Sequence, residues 1–233
     1  MNLYILVEGR RTESIVYPSW LGHLLPGFKR LKDPFMLKDN NVKGNHYYLF
    51  DGGGYPNMLK DAVAGAMDIN EIGAFDYYII CLDTDDEDCY EREQAVLDRL
   101  KDNGVEPKAE LVVITQKVCI ESWFLGNREL VKKSLRGADI EKYINFYNVG
   151  EKDPELMPKP IYSTDSIAMF HYKYLRTLMK KNGMNYTKGR PYEVCSKDYL
   201  TELILRSYYT GHLESFSRFV DLCMKIKERT QLP

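Results

Sequence analysis

The chain has 233 residues, 44% hydrophobic and 28% charged, enough to bury one substantial core plus a smaller appended unit and too apolar for a disordered segment. Its net charge of −2 conceals a polarity: residues 1–126 carry 13 Lys and Arg against 21 Asp and Glu, a balance of −8, and residues 127–233 carry 19 against 13, a balance of +6. Five scattered cysteines with no Cys-x-x-Cys pair argue against a disulfide framework and for a cytosolic setting, and no apolar run approaches the about 18 residues of a membrane span, so no membrane partner is expected.

In chain order, Leu3–Val7 reads as a buried strand that turns charged at Glu8, too short and too acidic for a secretory signal, with Gly9 giving the tight turn out of it. From Thr12, the residues Val16, Trp20 and Leu24 recur at steps of four, with Tyr17, Leu21 and Leu25 beside them. That spacing predicts a helix with Pro18 inside it and Pro26-Gly27 as its stop. Residues 28–45 are mixed and basic, a loop or an edge element. His46–Phe50 predicts a second strand ending in Asp51-Gly52-Gly53-Gly54, and Pro56–Ile69 an amphipathic helix. Phe75–Leu82 predicts a third strand, residues 88–102 a charged helix closed by Asn103-Gly104, and Leu111–Thr115 a fourth strand. This rhythm implies right-handed crossovers and an α/β fold with a mainly parallel four-stranded sheet, Rossmann-like, flanked by helices over residues 1–126. Residues 127–233 form a helical, basic C-terminal region: short helices near 128–136 and 139–147, a loop bearing Pro154, Pro158 and Pro160, and longer helices near 165–182, 196–209 and 212–229.

The acidic residues stand where chemistry is expected. Glu8 closes the first strand, and Asp83-Thr84-Asp85 closes the third, so in an open α/β sheet both project from the carboxyl edge. Carboxylates gathered there repel one another unless a cation compensates them, and Mg²⁺ takes a few carboxylates together with water and phosphate oxygens. Asp86, Glu87 and Asp88 are explained as an acidic helix N-terminus. Asp51 and its three glycines share the edge, either as a phosphate cradle with an extra ligand or as a plain turn. Between Asp165 and Glu193 lie Lys173, Arg176, Lys180, Lys181, Lys188 and Arg190, interleaved with Tyr172, Tyr174, Tyr186 and Tyr192 and with no acidic residue. Cations that bind phosphate and tyrosines that stack on unpaired bases suit a nucleic acid; the alternative has the tyrosines in the core. The four histidines lack zinc-ligand spacing, and Ser122 lacks a nucleophile-elbow setting.

Glu8-Gly9-x-x-Thr12-Glu13 after the first strand, Asp83-x-Asp85 after the third, and Ile120-Glu121-Ser122-Trp123-Phe124-Leu125 beyond the fourth resemble the Toprim fold. More narrowly, they resemble the Toprim domains of OLD-family (overcoming lysogenization defect) and RloB-like proteins associated with phage defence. The resemblance covers residues 1–126. It implies that Glu8 is a metal ligand or general acid/base, that Asp83 and Asp85 hold Mg²⁺ or Mn²⁺, and that Glu121 is a further acidic ligand. The gap from Glu8 to Glu13 is one residue longer than the commoner Glu-Gly-x-Thr-Glu pattern and fits the RloB-like variant, leaving open whether Glu13 faces the metal or only begins the helix. The implied activity is a metal-dependent nuclease on DNA or RNA. The alternative is a non-catalytic module that binds nucleic acid or a separate ATPase subunit, since the chain has no Gly-x-x-x-x-Gly-Lys-Ser/Thr of its own. Short helices in the second half leave room for a homodimer. A phosphatase reading of Asp83-x-Asp85 is disfavoured because Glu87 stands where that motif has Thr or Val.

Overall fold

The structure is a computed structural model describing residues 1–38, 42–132 and 137–231. Five strands, β1 (Asn2–Val7), β2 (Phe28–Arg30), β3 (Asn45–Asp51), β4 (Tyr77–Asp83) and β5 (Glu110–Gln116), form one all-parallel sheet in the order β2-β3-β1-β4-β5. The expected count of four is corrected by β2, a three-residue edge strand whose Phe28 pairs with Asn45 and Arg30 with Tyr47. Two of its three residues are cationic and exposed, so it carries no apolar run by which to recognise it.

Helices α1 (Glu13–Leu24), α2 (Met58–Ile72) and α3 (Cys89–Asp102) make the crossovers. Beyond β5 follow α4 (Ile120–Phe124), α5 (Glu129–Lys132), α6 (Ala138–Phe146), α7 (Ile167–Lys181), α8 (Lys197–Thr210) and α9 (Glu214–Thr230). The rest of the helix expected near 128–136 lies outside the described residues.

Strand alternation sorts the core into two layers. Leu3, Ile5 and Val7 of β1 join Ile79 and Cys81, the α1 residues Val16, Tyr17, Trp20 and Leu21, and apolar residues of α4 and α6–α9. Tyr4, Leu6, Tyr78, Ile80 and Leu82 face the other way, against Met58, Ala62 and Ala66 of α2 and Val96 and Leu100 of α3. The helical half therefore shares its core with the sheet. Its keystone is aromatic: Trp20 stacks on Trp123 at 6.4 Å between centroids, and Phe216 and Phe219 of α9 close around both. Each such ring removes roughly 150–250 Å² from water, a gross gain of about 4–6 kcal/mol before entropy is charged against it.

Two buried polar groups tie this half together. Glu155 accepts the N–H groups of Ser215 (3.1 Å) and Phe216 (3.3 Å) and the Ser215 hydroxyl (2.6 Å), so a carboxylate caps the N-terminus of α9. Arg206 of α8 donates to the carbonyls of Gly126 (2.9 Å), Val149 (2.7 Å) and Lys152 (2.7 Å).

The strand order puts β1 between β3 and β4. The chain leaves β1 toward one edge and later returns to build the other, so the loops after β1 and β4 diverge at the carboxyl end. That divergence is the switch point at which open α/β sheets bind ligands.

Candidate functional site

A cleft of about 580 Å³ opens at the switch point, lined by Glu8, Glu13, Asp83 and Lys188, with Arg10, Arg11, Gly52–Gly54 and Asn57 around them. Val7 pairs with Cys81 on one side and Asp51 on the other, which carries Glu8 to the rim, and its N–H continues the ladder to Cys81 O at 3.1 Å. Its carboxylate bridges two loops: Oε1 accepts from Tyr55 N at 3.1 Å, and Oε2 accepts from Asp83 N at 3.0 Å. Burial pushes the Glu8 carboxyl above its ordinary value; these two N–H bonds oppose the rise and Asp85 adds to it.

Glu13 both begins α1 and faces the cluster. Its carboxylate lies against Gly9, where a Cβ would stand 2.1 Å from Oε2, so the glycine after Glu8 makes room for the second carboxylate. Burial, with Glu121 and Glu8 adding to it, lifts Glu13 to about 7. Asp83, the last residue of β4, accepts Ile120 N at 3.1 Å from the start of α4. Its carboxyl is raised well above the usual range, by burial first and then by Glu13, Glu8, Glu121 and Asp85.

Glu121 on α4 is 1% exposed and stands behind the cleft, accepting the Tyr186 hydroxyl at 3.0 Å with Lys188 Nζ 3.9 Å away. Lys188 is raised in turn, chiefly by Glu121. Asp85 sits on an exposed turn with φ +51°, its N–H bonded to Val118 O at 2.9 Å, and Val118 itself has φ +67°. A β-branched residue in the left-handed region costs of order 1–3 kcal/mol. Thr84 Oγ1 accepts Val118 N at 2.8 Å, so the β4 and β5 exit loops are stitched together at the strained point.

Asp51 is held apart from this cluster, 3.6 Å from Arg10 Nε and outside the cleft lining. The glycines after it do line the cleft, yet Gly52 N is bonded to Val7 O at 2.8 Å and is not free to cradle phosphate. Among the cations of the second half, Lys173 is paired with Asp165 (2.7 Å) and Lys181 with Asp139 (2.8 Å), while Arg176, Lys180 and Arg190 are exposed. Only part of the tyrosine set faces solvent: Tyr174 and Tyr186 are core residues, Tyr172 is half-buried and Tyr192 is exposed.

The sequence reading missed Arg92. On α3 and 2% exposed, it donates to Thr84 O at 3.0 Å, pairs with Glu87 at 3.1 Å, and lies 3.7 Å from the centroid of the Tyr55 ring. It thus braces both loops whose N–H groups Glu8 accepts, and its charge opposes the rise of Glu8 and Asp85. Arg10 and Arg11, adjacent to the Glu8-Gly9 motif, also went unassigned although they line the cleft.

Among the described residues, no three His, Cys, Asp or Glu side chains stand together as a ready metal-binding group. The donors nonetheless fit a hard divalent ion in kind and charge: they are all oxygen, and burial raises Glu8, Glu13 and Asp83, with Asp85 adding to Glu8, Glu121 and Glu8 adding to Glu13, and Glu13 and Glu8 adding to Asp83. Comparison of the chain with protein-family models, with curated proteins and with solved structures gave no match.

Proposed function

We propose that the chain is a Toprim-type, divalent-cation-dependent phosphodiesterase that hydrolyses DNA or RNA, in the manner of an anti-phage effector. The observation that carries this reading is that Glu8 and Glu13, from the β1–α1 connection, and Asp83, from the end of β4, line one cleft at the switch point, with cations on its rim. Mg²⁺ or Mn²⁺ would be held by Glu8, Glu13 and Asp83, the carboxylates that line the cleft, with Glu121 behind them, and when bound would supply polarisation of a phosphoryl oxygen and an activated water.

The chain's own residues do the rest. Lys188 places an ammonium beside the carboxylates, where phosphoryl oxygens gain charge as a water oxygen bonds to phosphorus and the bond to the leaving sugar oxygen breaks. Arg10 and Arg11 line the same cleft and suit the flanking phosphates. Glu8, fixed by two main-chain N–H groups, and Arg92, wedged against Tyr55, hold the loops that set these distances. The test is cleavage of plasmid, single-stranded DNA and RNA in Mg²⁺ or Mn²⁺, expected for the native chain and lost in Asp83→Asn. Substrates left intact at every protein concentration, with any neighbouring ATPase supplied, would overturn it.

One observation favours a second reading, a non-catalytic module for nucleic acid or a separate ATPase: both Glu8 oxygens are engaged by N–H groups, and Glu121 by Tyr186. Titration calorimetry with Mg²⁺ separates the two, because the module binds none.

A further inference from the structure

A second hollow of about 470 Å³ adjoins the acidic cleft and shares Arg11 and Lys188 with it. Its character is the opposite. Arg11, Lys188 and Arg190 line it with Tyr172 and Met169, and among the described residues no carboxylate does. The wall that carries two of these cations is a tight turn: Thr187 and Arg190 form an antiparallel bridge, Arg190 N donates to Thr187 O at 2.9 Å, and Thr12 Oγ1 donates to Lys188 O at 3.1 Å. The turn is therefore pinned to the entry of α1, and its position relative to Glu13 is fixed by neighbours in sequence.

Tyr172 forms the other wall. Its ring is half-buried, backed by the buried Tyr186 at 6.1 Å between centroids, with Lys188 Nζ 5.9 Å from its own centroid. Tyr186 in turn donates to Glu121, so the aromatic wall and the acidic cluster are joined by one hydroxyl. Cations without competing carboxylates select phosphate. A supported aromatic ring beside them selects a planar group that is free to leave its stack, which a paired base is not.

We propose that this hollow is the subsite for the nucleotide next to the one processed in the acidic cleft, and that it takes an unpaired one: phosphate on Arg11 and Arg190, base against Tyr172. The proposal rests on the phosphodiesterase reading for its purpose but not for its test, which measures binding in chelator, where no cleavage occurs. Fluorescence anisotropy with labelled 12-nucleotide strands of DNA and of RNA, and with the same sequences as duplexes, gives the comparison. The single strands are expected to bind at least 10-fold more tightly than the duplexes. Arg11→Ala and Arg190→Ala should each weaken single-strand binding about 10-fold and lower the slope of log affinity against log salt by about 0.7. Tyr172→Leu should weaken it about 5-fold or more with the salt slope unchanged, and Tyr172→Phe should restore it, since stacking does not need the hydroxyl. Lys173→Ala, which removes a cation already held by Asp165, should change nothing. Equal affinity for duplex and single strand, or full affinity in folded Arg190→Ala and Tyr172→Leu proteins, would overturn the subsite. Loss of binding in those variants supports it whether or not the native chain cleaves in Mg²⁺.

Discussion

Glu8 accepts the main-chain N–H of Asp83 at 3.0 Å, so the carboxylate that follows β1 fixes the start of the loop that leaves β4. The bond draws two acidic side chains together in a place where burial already works against both. A fold selected only for stability has no reason to keep that arrangement, and the first expectation follows.

Asp83→Asn should stabilise the metal-free protein by about 1–2 kcal/mol at pH 7.5 in chelator, and abolish the proposed cleavage in Mg²⁺, because the amide oxygen can still accept Ile120 N and one buried charge is gone. The sign follows from the raised carboxyl. Ionisation begins to penalise the fold above the unfolded pKa, so the advantage of Asn should be absent in acid, grow as pH climbs, and level off once folded Asp83 has ionised. Urea midpoints across pH measure it. A less stable Asp83→Asn protein in chelator would remove the argument from charge.

Lys188 gives the complementary case. Its side chain is half exposed, so solvent screens its attraction to Glu121 and Lys188→Met should cost less than about 1 kcal/mol in chelator. The same substitution removes a resident cation from a cluster that remains acidic. Mg²⁺ should then raise the Tm of Lys188→Met by more than it raises that of the native chain, as linkage requires of a ligand that binds the folded state more tightly. An equal shift in the two proteins would mean that Lys188 and the divalent ion do not share a site.

Much of this geometry was legible in the sequence. Four strands announced themselves as apolar runs, and three of those runs end in Glu8, Asp51 and Asp83, so the carboxyl edge could be read from strand ends alone. β2 was not legible because two of its three residues are cations, and α4 because five residues are too few to show a helical period. Tyr174 could have been placed in the core. It lies four residues after Phe170 and four before Leu178 on the buried stripe of α7, and that periodicity outweighed the flanking lysines. Arg92 could not, since one arginine in a charged helix looks solvated until the fold sets Tyr55 against it. Likewise Glu155 meets α9 across 60 residues of chain, a distance no local pattern spans.

That contact is a stability site of its own. Glu155→Ala leaves the N–H groups of Ser215 and Phe216 without their acceptor, and it frees the Ser215 hydroxyl that also receives Trp123 Nε1 at 2.7 Å. A loss of about 3 kcal/mol is expected, falling to about 1 kcal/mol for Glu155→Gln, which keeps one acceptor oxygen. Chemical denaturation checks the pair. Equal losses for Ala and Gln would show that packing, and not capping, sets the cost.

His171 is expected to weaken the helical half in acid. Fully buried, its Nε2 donates to Met157 O at 2.8 Å and its Nδ1 accepts the Ser122 hydroxyl at 2.8 Å, an assignment that requires the neutral ring. Burial pulls its pKa down from the ordinary 6.5 to about 4. The unfolded chain therefore binds the extra proton first. Stability contributed by this group is intact above about pH 6.5, falls as pH drops toward 4, and is lost below that, a span worth roughly 3 kcal/mol. Glu13, Asp83 and Glu155 have raised values and act in the opposite sense over the same range, so the native curve alone mixes the two. The difference between native and His171→Gln separates them. Glutamine keeps a donor and an acceptor but cannot take the proton, so the variant should start less stable at pH 7.5 and close the gap as pH falls from 6.5 to 4. A gap that stays constant through that window would place the acid sensitivity elsewhere.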